Sequence, residues 1–169
     1  MAAAGDGFSG FKAEMSEAET ENPVAGTAVA VSVDPDGPLA GVLLRGAPGS
    51  GKSSIALALI ETCPWRRTRL VADDAVILSF RGGGLLAQTP AAIRGLIEIR
   101  GFGPARMAAA SATPVTAVFD LDAANRRLPE EALFSHAGGE ARLFPLAHDS
   151  GAEQRIRLIL RSILAGQKP

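Results

Sequence analysis

The sequence is short of several things, and each shortage excludes something. It holds one cysteine, Cys63, so no internal disulfide framework can form, and a reducing, cytoplasmic setting is expected. Cys63 follows an apolar helical stretch and reads as a buried, inert thiol. No apolar run reaches the roughly 18 residues that a spanning helix needs. A basic start followed by an apolar run, the mark of a secretory signal, is also missing. Lysine is scarce: only Lys12, Lys52 and Lys168 stand among 17 basic residues, so Lys52 is the single lysine inside the expected fold. A formal charge of −1 leaves no global basic field for nucleic acid. His136 and His148 lack partners at metal-ligand spacing, so no zinc site is expected and both read as surface or satisfied core residues.

What is present suits one globular domain: 169 residues, 47% hydrophobic and 21% charged. Residues 1–23 are small and acidic, with Asp6, Glu14, Glu17, Glu19 and Glu21 against Lys12. They read as a flexible tail in which Phe8 and Phe11 are the groups able to dock on a neighbour. The domain is expected over residues 24–166. Strands are expected at 27–33 and 40–45, separated by the turn signal Asp34-Pro35-Asp36-Gly37. A helix is expected over 53–62, a buried strand at 69–73, and a hairpin of 76–80 and 85–88. A short helix at 90–95, strands at 96–100, 115–121 and 141–146, and a closing helix complete the pattern. That last helix carries Ile156, Ile159, Leu160, Ile163 and Leu164 at helical spacing, with Ser150 and Glu153 at capping-box spacing and Gly166 as its stop. Strands outnumber helices, so the fold class is α/β with a mixed sheet and few helices.

Gly46-Ala47-Pro48-Gly49-Ser50-Gly51-Lys52-Ser53 matches the phosphate-loop pattern in full, between an apolar strand and a helix. Glycines let consecutive N–H groups turn inward toward phosphate oxygens, and the helix N-terminus adds partial positive charge. Lys52 can bridge β- and γ-phosphates, and the Ser53 hydroxyl can coordinate Mg²⁺. The loop therefore points to a nucleoside triphosphate, and is silent about the reaction.

Leu70-Val71-Ala72-Asp73-Asp74 puts two carboxylates where a buried strand runs out. There they can serve Mg²⁺ or accept a proton; a turn-forming pair that caps a loop is an equal reading. Adjacent strand residues face opposite ways, so both can share a site only where the strand ends or twists. Leu96-Ile97-Glu98-Ile99-Arg100-Gly101-Phe102-Gly103 places Glu98 and Arg100 on one face, followed by a glycine-proline loop through Pro104. A solvated charge pair and an acidic metal ligand beside an arginine are both open, the first favoured by the pattern alone. Asn125-Arg126-Arg127-Leu128-Pro129 reads as a polar surface loop or as an arginine beside transferred phosphate.

In this order and spacing the three segments resemble the catalytic domain of the HPr kinase/phosphorylase family, from about residue 27 to 161. The segment 96–103 is the family's own signature, and the length resembles the short α-proteobacterial form. The resemblance implies a sheet like that of phosphoenolpyruvate carboxykinase, and phosphorylation, often with dephosphorylation, of a serine on the phosphocarrier HPr. It implies that Lys52 contacts phosphates, and that Ser53 and Glu98 bind Mg²⁺. Asp74 would take the serine proton with Asp73 supporting it, and Arg127 would stabilise the transferred group. A homo-oligomer, a hexamer in the family, is implied too. Three positions depart from the family pattern: Ala25 where histidine is usual, Ser54 where an acid is usual, and Pro104 where an aliphatic residue is usual. The expected function is thus an ATP- and Mg²⁺-dependent HPr serine kinase, with phosphorylase activity as a further expectation. A nucleotide-sensing regulator of the same fold and a small-metabolite kinase stand as alternatives.

Overall fold

The computed structural model describes residues 23–126 and 131–167. The tail expected over residues 1–23 lies outside the described residues but for Pro23, and so does Arg127. The elements run β1 (Val24–Ala25), β2 (Thr27–Val31), β3 (Ala40–Arg45), α1 (Lys52–Glu61), β4 (Arg69–Ala72), β5 (Ala75–Arg81) and β6 (Gly84–Gln88). After a 3₁₀ turn at Ala91–Ile93 come β7 (Leu96–Ile99), β8 (Gly103–Arg106), β9 (Thr113–Asp120), β10 (Leu133–His136), β11 (Gly139–Pro145) and α2 (Ala152–Leu164).

Nine strands form one mixed sheet in the order β1-β5-β6-β9-β3-β2-β4, with β11 also pairing β9 and β10 pairing β11. β3, β9 and β11 are mutually parallel neighbours, and the other pairings in this sheet are antiparallel. Because β4 reverses β2, and β2 reverses β3, β4 points the same way as the parallel trio. β7 and β8 form a separate two-stranded ribbon.

β2 and β3 are apolar nearly throughout because both of their faces are covered. One face packs Val29, Val31, Val42, Leu44 and Phe119 under Ile55, Leu59, Ile156 and Leu160 of the two helices. The other packs Ala28, Ala30, Leu43 and Val118 with Val76, Leu78 and Leu85. α1 has no polar stripe because sheet, ribbon and α2 all contact it. α2 is strongly amphipathic and lies on one side of the sheet, where Ile156 and Leu160 are fully buried, each contributing about 1.5–3 kcal/mol. Arg157, though charged, is buried on the same helix, and it donates to the carbonyls of Ser32 at 2.8 Å and Leu59 at 2.5 Å. That pair ties α2 to both the β2 exit and α1.

Several expectations are corrected. The glycine-proline loop after residue 100 is short, because residues 103–106 form β8 and pair Ile99 with Gly103. Pro104 is admitted there because this two-stranded ribbon is all edge. β10 belongs to a hairpin with β11 that composition did not mark. The short helix at 90–95 is a single 3₁₀ turn. Ser150 caps nothing: Gly151 holds the N-cap of α2 without a side-chain hydrogen bond. The stop at Gly166 is as expected, with φ +72° and the bonds Gly166 N–H to Ile163 O and Gln167 N–H to Ser162 O closing the helix. In the β5–β6 hairpin, Gly82 and Gly83 both take positive φ, as a two-residue turn between Arg81 and Gly84 requires.

Candidate functional site

Carboxyl ends of like-directed strands collect at one edge of a sheet, and loops leaving that edge form the usual ligand crevice. Here β3 leads into the phosphate loop, β4 into Asp73, β9 into Asp122, and β11 into the segment that carries His148. Four stretches far apart in sequence are thereby brought to one rim.

The phosphate loop leaves β3 with Gly46 at φ +149°, and Gly49 and Gly51 at φ +80° and +100°, conformations that only glycine adopts readily. Gly51 is the N-cap of α1. Lys52 is 9% exposed, and its Nζ donates to the carbonyls of Gly46 at 2.8 Å and Ala47 at 2.9 Å, which draws the ammonium across the loop. The Asp122 carboxylate accepts the Ala47 N–H at 3.0 Å from each oxygen and pins the start of the loop.

Asp73 is buried, and one of its oxygens accepts from Thr27 Oγ1 at 2.9 Å and Ser53 Oγ at 2.8 Å. Its other oxygen accepts the Glu98 N–H at 3.2 Å. A single carboxylate thus joins the main sheet, the phosphate loop and the β7–β8 ribbon. Asp74 is exposed and takes φ +62°, a left-handed turn that aspartate tolerates better than most residues. That turn solves the alternation problem: Asp73 points into the Ser53 network, while Asp74 reaches the cavity from the next residue.

The cavity has a volume of about 330 Å³. Pro48, Gly49, Gly51, Lys52, Ser53, Ser54 and Leu57 line it together with Asp74, Glu98, Arg100 and His148. The reading of Glu98 and Arg100 as a merely solvated pair is therefore incomplete, since both are exposed but line the same cavity as the phosphate loop. His148 was unsuspected from sequence. Nothing local marks it, and only the parallel pairing of β11 with β9 carries it to the site.

A sequence model of the HPr Serine kinase C-terminal domain matches residues 26–109. The chain belongs to the HPr serine kinase C-terminal domain family. Members similar to this family domain include the HPr kinase/phosphorylases of Exiguobacterium sibiricum and Brevibacillus brevis. They are 48% and 50% identical over 64 residues, which is 37% of this chain and 19% of each relative. The chain thus matches about a fifth of the length of these relatives. Its fold is similar to that of the Hpr(Ser) kinase/phosphatase from Coxiella burnetii, with a TM-score of 0.68 at 21% identity, covering 86% of this chain and 92% of that one. The family domain spans the phosphate loop, the Asp73-Asp74 pair and Glu98, whereas Asp122 and His148 lie beyond the matched residues.

Cys63 is buried as expected, but it is not an ordinary thiol. Burial raises its pKa, yet hydrogen bonds from the Thr68 hydroxyl and from the backbone at Thr68, Arg67 and Trp65 outweigh that and lower it to about 6. No described helix is long and apolar enough to cross a membrane.

Proposed function

We propose that this chain is an ATP- and Mg²⁺-dependent protein serine kinase, acting on an HPr-type phosphocarrier and also dephosphorylating it by phosphorolysis, with inorganic phosphate as the acceptor. The observation that carries this reading is the convergence of Lys52, Ser53, Asp74 and Glu98 on one cavity, with Asp73 bonded between Ser53 and Glu98. The names of the relatives supply the acceptor, a serine of HPr.

In this reading the loop N–H groups and Lys52 hold the ATP phosphates, with Lys52 leaving its loop carbonyls for the β- and γ-oxygens. The serine hydroxyl of the partner enters beside Asp74. Its oxygen forms the new bond to the γ-phosphorus as the bond to the β–γ bridging oxygen breaks. The proton passes to Asp74, and ADP leaves with the electron pair of the broken bond. The Ser53 hydroxyl and the Glu98 and Asp73 carboxylates are hard oxygen donors of the kind Mg²⁺ takes. They are few, as suits an ion that keeps water and phosphate in its shell. Once bound, Mg²⁺ neutralises charge on the β- and γ-oxygens. Arg127, outside the described residues, is assigned the stabilisation of the transferred group by resemblance alone. Homo-oligomerisation and a cytoplasmic setting belong to the same reading.

Labelled ATP, Mg²⁺ and the cognate HPr test it: an acid-stable, base-labile phosphoserine should form. Asp74→Asn should slow transfer by about 10²–10⁴-fold, the usual range for a general base, while ATP still binds. ATP binding without any phosphoserine would refute the kinase and favour a nucleotide-sensing regulator, in keeping with Ala25 and Ser54.

A further inference from the structure

We propose that His148 is a phosphate-contacting residue of this cavity, supplying an N–H donor to the polyphosphate from beside the N-cap of α1. The proposal rests on the nucleotide reading above and adds a residue outside the family-matched segment. His148 lines the same cavity as Lys52 and Ser53 and is solvent-exposed. Its ring lies directly against the N-cap of α1. A methyl group built on Gly51 would come within 2.2 Å of Nδ1 and 2.4 Å of Cε1. The amides that follow Gly51, those of Lys52 and Ser53, begin α1 and are the ones an anion meets at a helix N-terminus. A ring seated on Gly51 therefore borders the anion position itself.

The chain on either side of His148 is also held in place. Asp149, the next residue, accepts from the Gly151 N–H at 2.9 Å and from Arg155 Nη1 at 2.9 Å. Arg155 Nη2 donates to Ala147 O at 2.8 Å on the other side of His148. One guanidinium thus braces both neighbours of the histidine against α2. Lys52, by contrast, has its ammonium engaged with Gly46 and Ala47 carbonyls and must exchange those bonds for phosphate. His148 already faces the space, so it contributes a donor without that exchange.

Calorimetric titration of the full chain with ATP and with inorganic tripolyphosphate, which has no nucleoside, decides the matter. His148→Ala should weaken both by about tenfold, the order of one charge-assisted hydrogen bond, and His148→Gln should recover most of that loss through its amide donor. Lys52→Ala serves as the control that abolishes both. If His148→Ala bound tripolyphosphate as the unaltered chain does while Lys52→Ala lost it, the histidine assignment would fall and the phosphate site would stand. Loss of ATP affinity with tripolyphosphate unaffected would likewise overturn it, placing the ring against the nucleoside. If the unaltered chain bound neither, both readings would fall together.

Discussion

Replacing Asp73 by alanine removes one acceptor from three donors: Thr27 Oγ1 at 2.9 Å, Ser53 Oγ at 2.8 Å and the Glu98 N–H at 3.2 Å. Asp73 is 6% exposed and Thr27 fully buried, so water cannot simply take the carboxylate's place. Hydrogen bonds to a charged acceptor contribute about 1.5–3 kcal/mol each, which for three gives roughly 4.5–9 kcal/mol. Against this, deleting the carboxylate also removes its own desolvation cost of several kcal/mol. A net loss of about 3 kcal/mol follows. For a chain of this length that lowers Tm by roughly 6–12 °C. Thermal melting followed through Trp65, the only tryptophan, reads the change without a label. Asp73→Asn is the informative partner. Its carbonyl can face the Glu98 N–H while its amide donates to the two hydroxyls, which can turn to accept, so it should lose only about 1 kcal/mol. Asp73→Ala within about 2 °C of the unaltered chain would refute the three-way junction. Equal Tm values for the alanine and asparagine variants would refute the hydrogen-bond account of it.

Gly51→Ala should cost about 1–2 kcal/mol from its φ of +100° alone, and it should also displace His148; urea denaturation and ATP titration read the two effects. Asp122→Ala frees the Ala47 N–H at an exposed position, so stability should fall by no more than about 1 kcal/mol while ATP affinity drops through a looser loop. Cys63 supplies a pH test. Its folded-state pKa is lowered to about 6, so its contribution is present above the unfolded thiol's pKa and is lost as pH falls toward 6. The stability of the unaltered chain relative to Cys63→Ala should therefore decline from about pH 9 to pH 6, and a pH-independent difference would contradict the lowered thiol.

The parts of the fold legible in sequence are those whose cause is local. β3 follows from an unbroken apolar run, the β5–β6 turn from its glycines, and the end of α2 from Gly166. β8 and β10 were not legible, because their residues are half-polar and their pairing is decided by partners. The Ser150 cap failed because Gly151 takes the N-cap instead, and Asp149 accepts the Gly151 N–H. A capping-box spacing cannot register that competition.

The site divides in the same way. Its phosphate loop is a local device, written in glycines whose positive φ the chain must adopt wherever the loop occurs. Its carboxylates were visible as residues but not as a geometry. The division of labour between adjacent Asp73, bonded to Ser53, and Asp74, lining the cavity, depends on a single left-handed residue, with Ala75 N–H folding back to Asp73 O at 2.8 Å. The remaining pieces, Asp122 and His148, arrive by topology alone. Each sits just past the carboxyl end of a strand parallel to β3, so the register Arg45↔Asp120 and Asp120↔Pro145 places both beside a loop 75 or more residues earlier in the chain. A chain that kept the phosphate motif but broke both the β3–β9 and the β9–β11 pairings would retain the signature and lose those two contacts. The motif therefore marks where the loop lies, and the parallel trio is what brings Asp122 and His148 beside it.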